Sequence, residues 1–250
     1  MLRRPLRVAL LCGARAPGLE RLLEASAGPG PEYRLVAAMT TTAECDALPA
    51  LEEAGVPTTV HDIDRFLRSC DLRLSDRGAR RAYDLGTVAI LAPHRVDLVL
   101  LSAYLLVLSD SMLSAYPGRI VNVHDSDLTA LNPDGRPRWR GLRSTRDAIA
   151  AGARETRSTI HVVTEEVDRG PVLATSKSFP VHPLVGDALR WGAKDMVSAY
   201  AYAQREWMMR SAWGDLMDRA ARMYARGEVA FADVERPSTE AAAVATSGRA

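Results

Sequence analysis

Apolar and polar positions along this chain fall into blocks whose period changes from one block to the next. RVALLCG (7–13) is a short unbroken apolar run, the pattern of a strand covered on both faces. Pro17 and Gly18 then open the helical pattern LERLLEAS. YRLVAAMT (33–40) predicts a second strand, and a helix is expected through Ala43–Ala54, stopped by Gly55. TTVHD predicts a third strand. Ser75 is expected to cap a helix with Ala79, Ala82, Tyr83, Gly86 and Ile90 on one face, ending near Pro93. VDLVLLSAY (96–104), RIVNVHD (119–125) and STIHVVT (158–164) predict strands, and the more alternating VLATSKSFPV (172–181) an edge strand. After Pro183 the pattern is helical. Leu189, Ala193, Met196, Tyr200, Ala203 and Trp207 mark an apolar stripe, and a further helix runs to about Arg226.

Strand and helix patterns in alternation predict an α/β fold, a doubly wound, mostly parallel sheet. Such sheets bind ligands at the carboxyl ends of their strands. The expected organisation is an α/β domain over 1–182, a helical C-terminal extension over 183–234 packing on it, and a frayed tail over 235–250, where RPSTEAAAVATSGRA is small and polar.

Composition narrows this reading. With 250 residues the chain can bury a full core. A formal net charge of +1 provides no basic field for nucleic acid or anionic lipid. No apolar run reaches the roughly 18 residues of a membrane span. The start, MLRRPLRVALLCG, is read as a first buried strand rather than a signal peptide. Cys12, Cys45 and Cys70 are scattered, without metal-ligand spacing, which suits free thiols in a reducing cytoplasm.

Three segments could carry chemistry. Asn122 and His124 are two apart in a predicted strand, so they share a face at its carboxyl end. An amide and an imidazole can both donate to an oxygen that gains negative charge, and the imidazole can move protons near neutral pH. In TEEVDRGPVL (164–173) carboxylates lead into a Gly170-Pro171 turn; Asp168, at the turn itself, could polarise the histidine or position water. SAYLLVLSD (102–110) stays apolar past the expected end of its strand and suggests the wall of an organic-ligand pocket. Each segment also has a plainer reading: a structural histidine, a solvated acidic turn, and core burial.

With these pieces in order, residues 7–181 resemble the formyltransferase fold family, closest to the glycinamide ribonucleotide formyltransferases. The match is carried by GVPTTVHD, by RRAYDLGTVAILAPHRVDLVLLSAYLLVLSDSMLSAYPGRIVNVH and by STIHVVTEEVDRGPVL. The resemblance implies a Rossmann-like formyltransferase sheet. It also implies an enzyme that takes a formyl group from 10-formyltetrahydrofolate and passes it to a small-molecule amine. The pterin would lie against Tyr104, Leu105, Val107, Leu108 and Leu113 and meet the 164–168 loop at Glu166 and Val167. Asn122 and His124 would stabilise the tetrahedral oxyanion, and Asp168 would keep His124 protonated and help shuttle the amine's proton. His161 would line the site on the substrate side, as would Gly13 and Arg15 in the first loop. No metal is needed.

The positions near 190–196 expected to hold the phosphate do not align cleanly with the family, and the sequence departs from it in three further places. The first loop reads CGARAPGLER, in which Pro17 removes a backbone N–H that a phosphate cradle would use and Arg15 could substitute charge. Asp125 and Asp127 flank the catalytic loop and are expected to repel a phosphorylated substrate and favour a cationic amine. An insertion, NPDGRPRWRG (132–141), carries a WRG resembling the loop of methionyl-tRNA formyltransferases. Glycinamide ribonucleotide leads as acceptor, with an amino sugar, a sugar nucleotide or a peptide-like amine as rivals. Transfer to tRNA is disfavoured by the helical C-terminal pattern and the balanced charge. Formyltetrahydrofolate hydrolysis and a non-catalytic folate-binding descendant are the other readings. No G-x-G-x-x-G supports a nicotinamide enzyme. The stripe after residue 184 leaves open packing on the sheet or on a second copy in a homodimer.

Overall fold

The structure, a computed structural model, describes residues 4–229. Seven strands form one mostly parallel sheet in the order β3-β2-β1-β4-β5-β7-β8, flanked by helices. By contact the described residues separate into two compact units: one holds 4–16, 23–120 and 221–229, the other 17–22 and 121–220. The expected tail over 235–250 and the end of the helical extension, 230–234, lie outside the described residues.

In the first unit, β1 (Leu6–Cys12) runs parallel to β2 (Tyr33–Thr40) on one side and to β4 (Leu98–Ser102) on the other, with β3 (Thr58–Val60) beyond β2. Val8–Cys12 and Leu98–Ser102 are buried throughout, which is why both runs read as continuously apolar. Each large aliphatic side chain sealed there contributes about 1.5–3 kcal/mol. The helices of this unit are α2 (Leu48–Glu53), α3 (Ile63–Cys70), α4 (Arg77–Leu91) and α5 (Asp110–Ala115). The helix α1 (Leu19–Ala27) and the first residues of β5 (Ile120–His124) cross the division between units.

Local chemistry moves several expected boundaries. The helix expected over Ala43–Ala54 starts only at Leu48, because Thr40 and Thr42 bind nearby backbone and hold 41–47 in turns until Pro49 sets the first helical turn. Gly55 follows its end at φ +64°, as expected. Asp76, not Ser75, caps α4: its carboxylate accepts the Ala79 N–H at 3.0 Å. The buried face of α4 is Ala79, Tyr83, Asp84, Thr87 and Leu91, while Ala82 is exposed. The helices α3 and α5 carry no signal strong enough to have been expected.

In the second unit, β5 pairs antiparallel with β7 (Thr159–Val162), and β7 pairs antiparallel with the edge strand β8 (Val172–Thr175). The run expected as one strand over 172–181 is two. Ser176 binds Ser158 and the Lys177 carbonyl and ends β8, and β9 (Phe179–Pro180) joins β6 (Glu155–Thr156) in a separate ladder. The helices are α6 (Ser144–Ala150), α7 (Leu184–Arg190) and α8 (Lys194–Arg226), whose last turns belong to the first unit.

The stripe on α8 is displaced from the expected one by a single position. Val197, Ala201, Gln204, Met208 and Ala212 are buried, whereas Met196, Ala203 and Trp207 are exposed. Gln204 hides this register because its amide is satisfied internally, donating to Thr156 Oγ1 and to the carbonyls of Phe179 and Pro180. Gly214 on α8 lies against Gly18. A Cβ on Gly18 would stand 2.5 Å from the Gly214 nitrogen, so only a bare backbone fits that approach.

Candidate active site

In the second unit, the antiparallel register sets Asn122 opposite His161 and His124 opposite Thr159. Residues directly opposite across two strands share a face, so Asn122, His124 and His161 project together. The Asn122 Nδ2 is 3.3 Å from His161 Nε2, and His161 Nδ1 is 3.0 Å from the Val162 carbonyl. Burial, the first cause, and the neighbouring His124 push the His161 pKa below its ordinary 6.5. The neutral ring therefore donates from Nδ1 to the carbonyl and accepts the Asn122 amide at Nε2. The amide is fixed as a donor.

The loop after β7 returns Asp168 to this face. Gly170 makes the return: a Cβ there would collide with the Val162 carbonyl oxygen, and Val162 N–H donates to the Pro171 carbonyl at 2.9 Å. Asp168 itself sits at φ +57°, a left-handed conformation that aspartate tolerates better than most side chains. Its Oδ1 is 3.6 Å from His124 Nδ1 and 3.9 Å from His161 Nε2, with all three side chains buried. Its Oδ2 accepts the Gly141 N–H at 2.8 Å. His124 Nε2 is buried with no partner inside the protein. A buried ring nitrogen without a partner is costly.

Gly141 closes the insertion noted in the sequence, and sequence reasoning did not assign it a role. The Leu131/Pro137 bridge and the Asn132, Arg136 and Arg138 backbone bonds fold 131–138 as a small hairpin. Ser126 Oγ donates to the Trp139 carbonyl at 2.7 Å, and Arg138 lies over the Trp139 ring. The hairpin thus ends with a backbone donor on the Asp168 carboxylate. Only the WRG resemblance hinted at this, since a main-chain N–H leaves no mark in sequence.

The expectation for the two flanking acids is corrected. Asp125 accepts from Ser144 Oγ at 2.7 Å and forms an ion pair with Arg205 of α8. Asp127 accepts from the Thr129 N–H and hydroxyl and lies 3.9 Å from Arg157. The Asp125 charge is matched within the fold, while Arg157 is shared between Asp127 and Glu155, which it meets at 3.1 Å. Arg205, 80 residues away in sequence, was not anticipated.

The remaining expected residues lie as follows. Glu166 is exposed and pairs with Arg169, and Val167 is exposed beside it on the Asp168 loop. In the first unit, Tyr104 is buried with its hydroxyl unpartnered, and burial raises its pKa well above the ordinary value. Leu105 and Val107 are 62% and 54% exposed, Leu108 is buried, and Leu113 is half-buried on α5. Asp84 on α4 accepts the Ser109 N–H at 2.5 Å and anchors the end of this segment. Gly13 and Arg15 follow β1, and a Cβ on Gly13 would press on the Ala103 carbonyl at 2.9 Å. Among the described residues no group of three or more His, Cys, Asp or Glu could hold a metal ion, and no helix is long and apolar enough to cross a membrane.

Comparison with known proteins identifies the family of the chain. Residues 6–187 match the model of the formyl transferase family. The phosphoribosylglycinamide formyltransferase of Mycobacterium tuberculosis is 32% identical over 183 residues, covering 73% of this chain and 74% of its own. The crystal structure of phosphoribosylglycinamide formyltransferase from Brucella melitensis is 27% identical, with a TM-score of 0.64 over 92% of this chain and 100% of its own. A formyltetrahydrofolate deformylase from Pseudomonas syringae shares the fold at 17% identity, with a TM-score of 0.67 over 93% of this chain and 65% of its own.

Proposed function

Because the chain belongs to the formyl transferase family, we propose that it moves a formyl group from 10-formyltetrahydrofolate to a primary amine, with glycinamide ribonucleotide as the leading acceptor. The observation that carries the reading is the unpartnered Nε2 of His124, on one face with a fixed Asn122 donor and beside the Asp168 carboxylate. The acceptor is taken from the names of the relatives. The internal pairing of Asp125 with Arg205 supports a phosphorylated one by reducing the expected repulsion.

The residues present fit the formyl donor. In the second unit, a buried nitrogen without an internal partner suits a formyl oxygen. When bound, the folate supplies a formyl carbon open to attack by an amine. His124 then donates from Nε2 to the formyl oxygen as that oxygen gains negative charge, and the Asn122 amide is a second donor on the same face. Asp168 stabilises a proton on His124 Nδ1 through Oδ1, while Gly141 holds its Oδ2 and fixes the carboxylate plane. The proton lost by the attacking amine would pass to the Asp168 carboxylate, directly or through water, and from there to the folate nitrogen that is released as its bond to the formyl carbon breaks. Orientation and charge stabilisation carry the reaction, without any need for a covalent enzyme intermediate.

The reading includes a cytoplasmic location and a homodimer, to which the exposed Met196, Tyr202 and Trp207 of α8 would contribute apolar surface. Light scattering after size exclusion tests the dimer. The activity is tested by following tetrahydrofolate release spectroscopically with glycinamide ribonucleotide, with amino sugars, and with no amine. Release that requires glycinamide ribonucleotide supports the proposal. Release in water alone would make the chain a hydrolase, and failure to bind the folate would overturn the reading.

A further inference from the structure

In the first unit, two backbone hydrogen bonds clasp the segment after β1 to the segment after β2. Thr41 N–H donates to the Cys12 carbonyl and Asp46 N–H to the Ala14 carbonyl, each at 3.0 Å. Cys12 and Cys45 stand within this clasp. Both are free thiols, with Sγ atoms 3.8 Å apart. We propose that Cys12 and Cys45 are a modification site, a thiol pair that a hydroperoxide converts into a reversible intramolecular disulfide.

The geometry favours joining these two sulfurs over any other pair. A disulfide needs about 2.0 Å between sulfurs, so the gap to be closed is within reach of side-chain rotation and a small shift of the 41–47 turns. Cys70 is exposed on α3. Access and acidity also divide the roles. Cys12 is fully buried, whereas Cys45 retains 5% exposure. The Cys12 thiol donates toward Cys45 and, with the Ala47 N–H, draws the Cys45 thiol down to about 7; the same contact and burial push the Cys12 thiol up. Cys45 is the nucleophile and Cys12 the resolving thiol.

The chemistry balances with hydrogen peroxide as oxidant. The Cys45 thiolate attacks one peroxide oxygen, the O–O bond breaks, and hydroxide leaves to be protonated to water, giving a sulfenic acid on Cys45. The Cys12 sulfur then attacks the Cys45 sulfur; the S–S bond forms as the S–O bond breaks. The departing hydroxide takes the Cys12 thiol proton, giving a second water. Two thiols and one peroxide yield one disulfide and two waters. The product fastens the Gly13–Arg15 segment covalently to the segment after β2, whatever the acceptor of the formyl group.

The experiment treats the full chain with hydrogen peroxide, blocks remaining thiols with iodoacetamide after denaturation, and maps tryptic peptides by mass. Circular dichroism records the fold throughout. The expected result is a Cys12–Cys45 linked peptide, lighter by two hydrogens than the two peptides together, formed in folded protein and released by dithiothreitol. In Cys12→Ser the sulfenic acid on Cys45 should persist long enough for dimedone to trap it, and Cys45→Ser should give no link. The proposal is overturned if Cys12 and Cys45 stay alkylatable while Cys70 oxidises. Advance of Cys45 to the sulfinic acid without linking would overturn it too, as would linkage seen only after the fold is lost.

Discussion

The Asn122 amide is aimed by His161: its Nδ2 lies 3.3 Å from His161 Nε2, while His161 Nδ1 is spent on the Val162 carbonyl at 3.0 Å. His161 in this role acts through Asn122. It fixes which end of the amide points outward, and it can do so only while neutral.

A positioning role makes His161→Phe informative, because the ring volume stays and both nitrogens go. Losing one such hydrogen bond corresponds to about 1 kcal/mol, so kcat should fall roughly fivefold with little change in KM. The pH profile adds a separate readout. Burial holds the His161 pKa below its ordinary 6.5, so protonation begins only on the acid side of that value. It places a proton on Nε2 and breaks the contact with Asn122. Wild-type kcat should lose this component as the pH falls below the ordinary histidine range, and His161→Phe should not. Identical acid limbs in the two proteins would remove His161 from the account.

Asp168→Asn separates charge from conformation. Asparagine accepts the left-handed backbone at φ +57° as readily as aspartate, so thermal stability should change little. Loss of the carboxylate beside His124 Nδ1 should lower kcat by roughly 10²–10⁴-fold. A variant that unfolds at the wild-type temperature and turns over at the wild-type rate would contradict the role given to this side chain.

Gly141→Ala tests the hairpin's hold on Asp168. Nothing lies within 4 Å of the position a Cβ would take, so the penalty is the φ of +76° alone. That should lower stability by about 1–2 kcal/mol in chemical denaturation. The strained N–H would then sit less well on Asp168 Oδ2, and kcat should fall by more than the stability change explains at a temperature where the variant is fully folded. Unchanged kcat under those conditions would make the insertion irrelevant to catalysis.

Glu32 contributes to acid stability in the first unit. Arg226, the larger influence, and Arg222 hold its carboxyl at about 2 against an ordinary 4.5. Their contacts run from 2.5 to 2.9 Å. A pKa lowered in the folded state means the pair's stability is complete above the unfolded value near 4.5 and is lost as pH falls toward 2. Melting temperature followed from pH 5.5 downward should drop less steeply in Glu32→Gln than in wild type, and equal slopes would rule out this source.

How much of this was legible in sequence follows from the range of each signal. Asn122 and His124 could be placed together because a strand's period of two is local. The Asp168 turn was visible because Gly170 and Pro171 follow it. Asp125 was misread as a free charge because its partner, Arg205, comes from a distant helix. The face of α8 was set one position off because a buried Gln204, satisfied by three acceptors, looks polar in a hydrophobicity pattern. Gly141 could not be found at all as a functional residue, since what it contributes is a main-chain N–H.

The most direct measurement is single-turnover formyl transfer to glycinamide ribonucleotide by His124→Ala, with folate affinity measured in parallel. The account predicts that the chemical step falls by at least about 10²–10³-fold, with folate binding within a few-fold of wild type. Transfer at the wild-type rate in a variant that still binds the folate would contradict it.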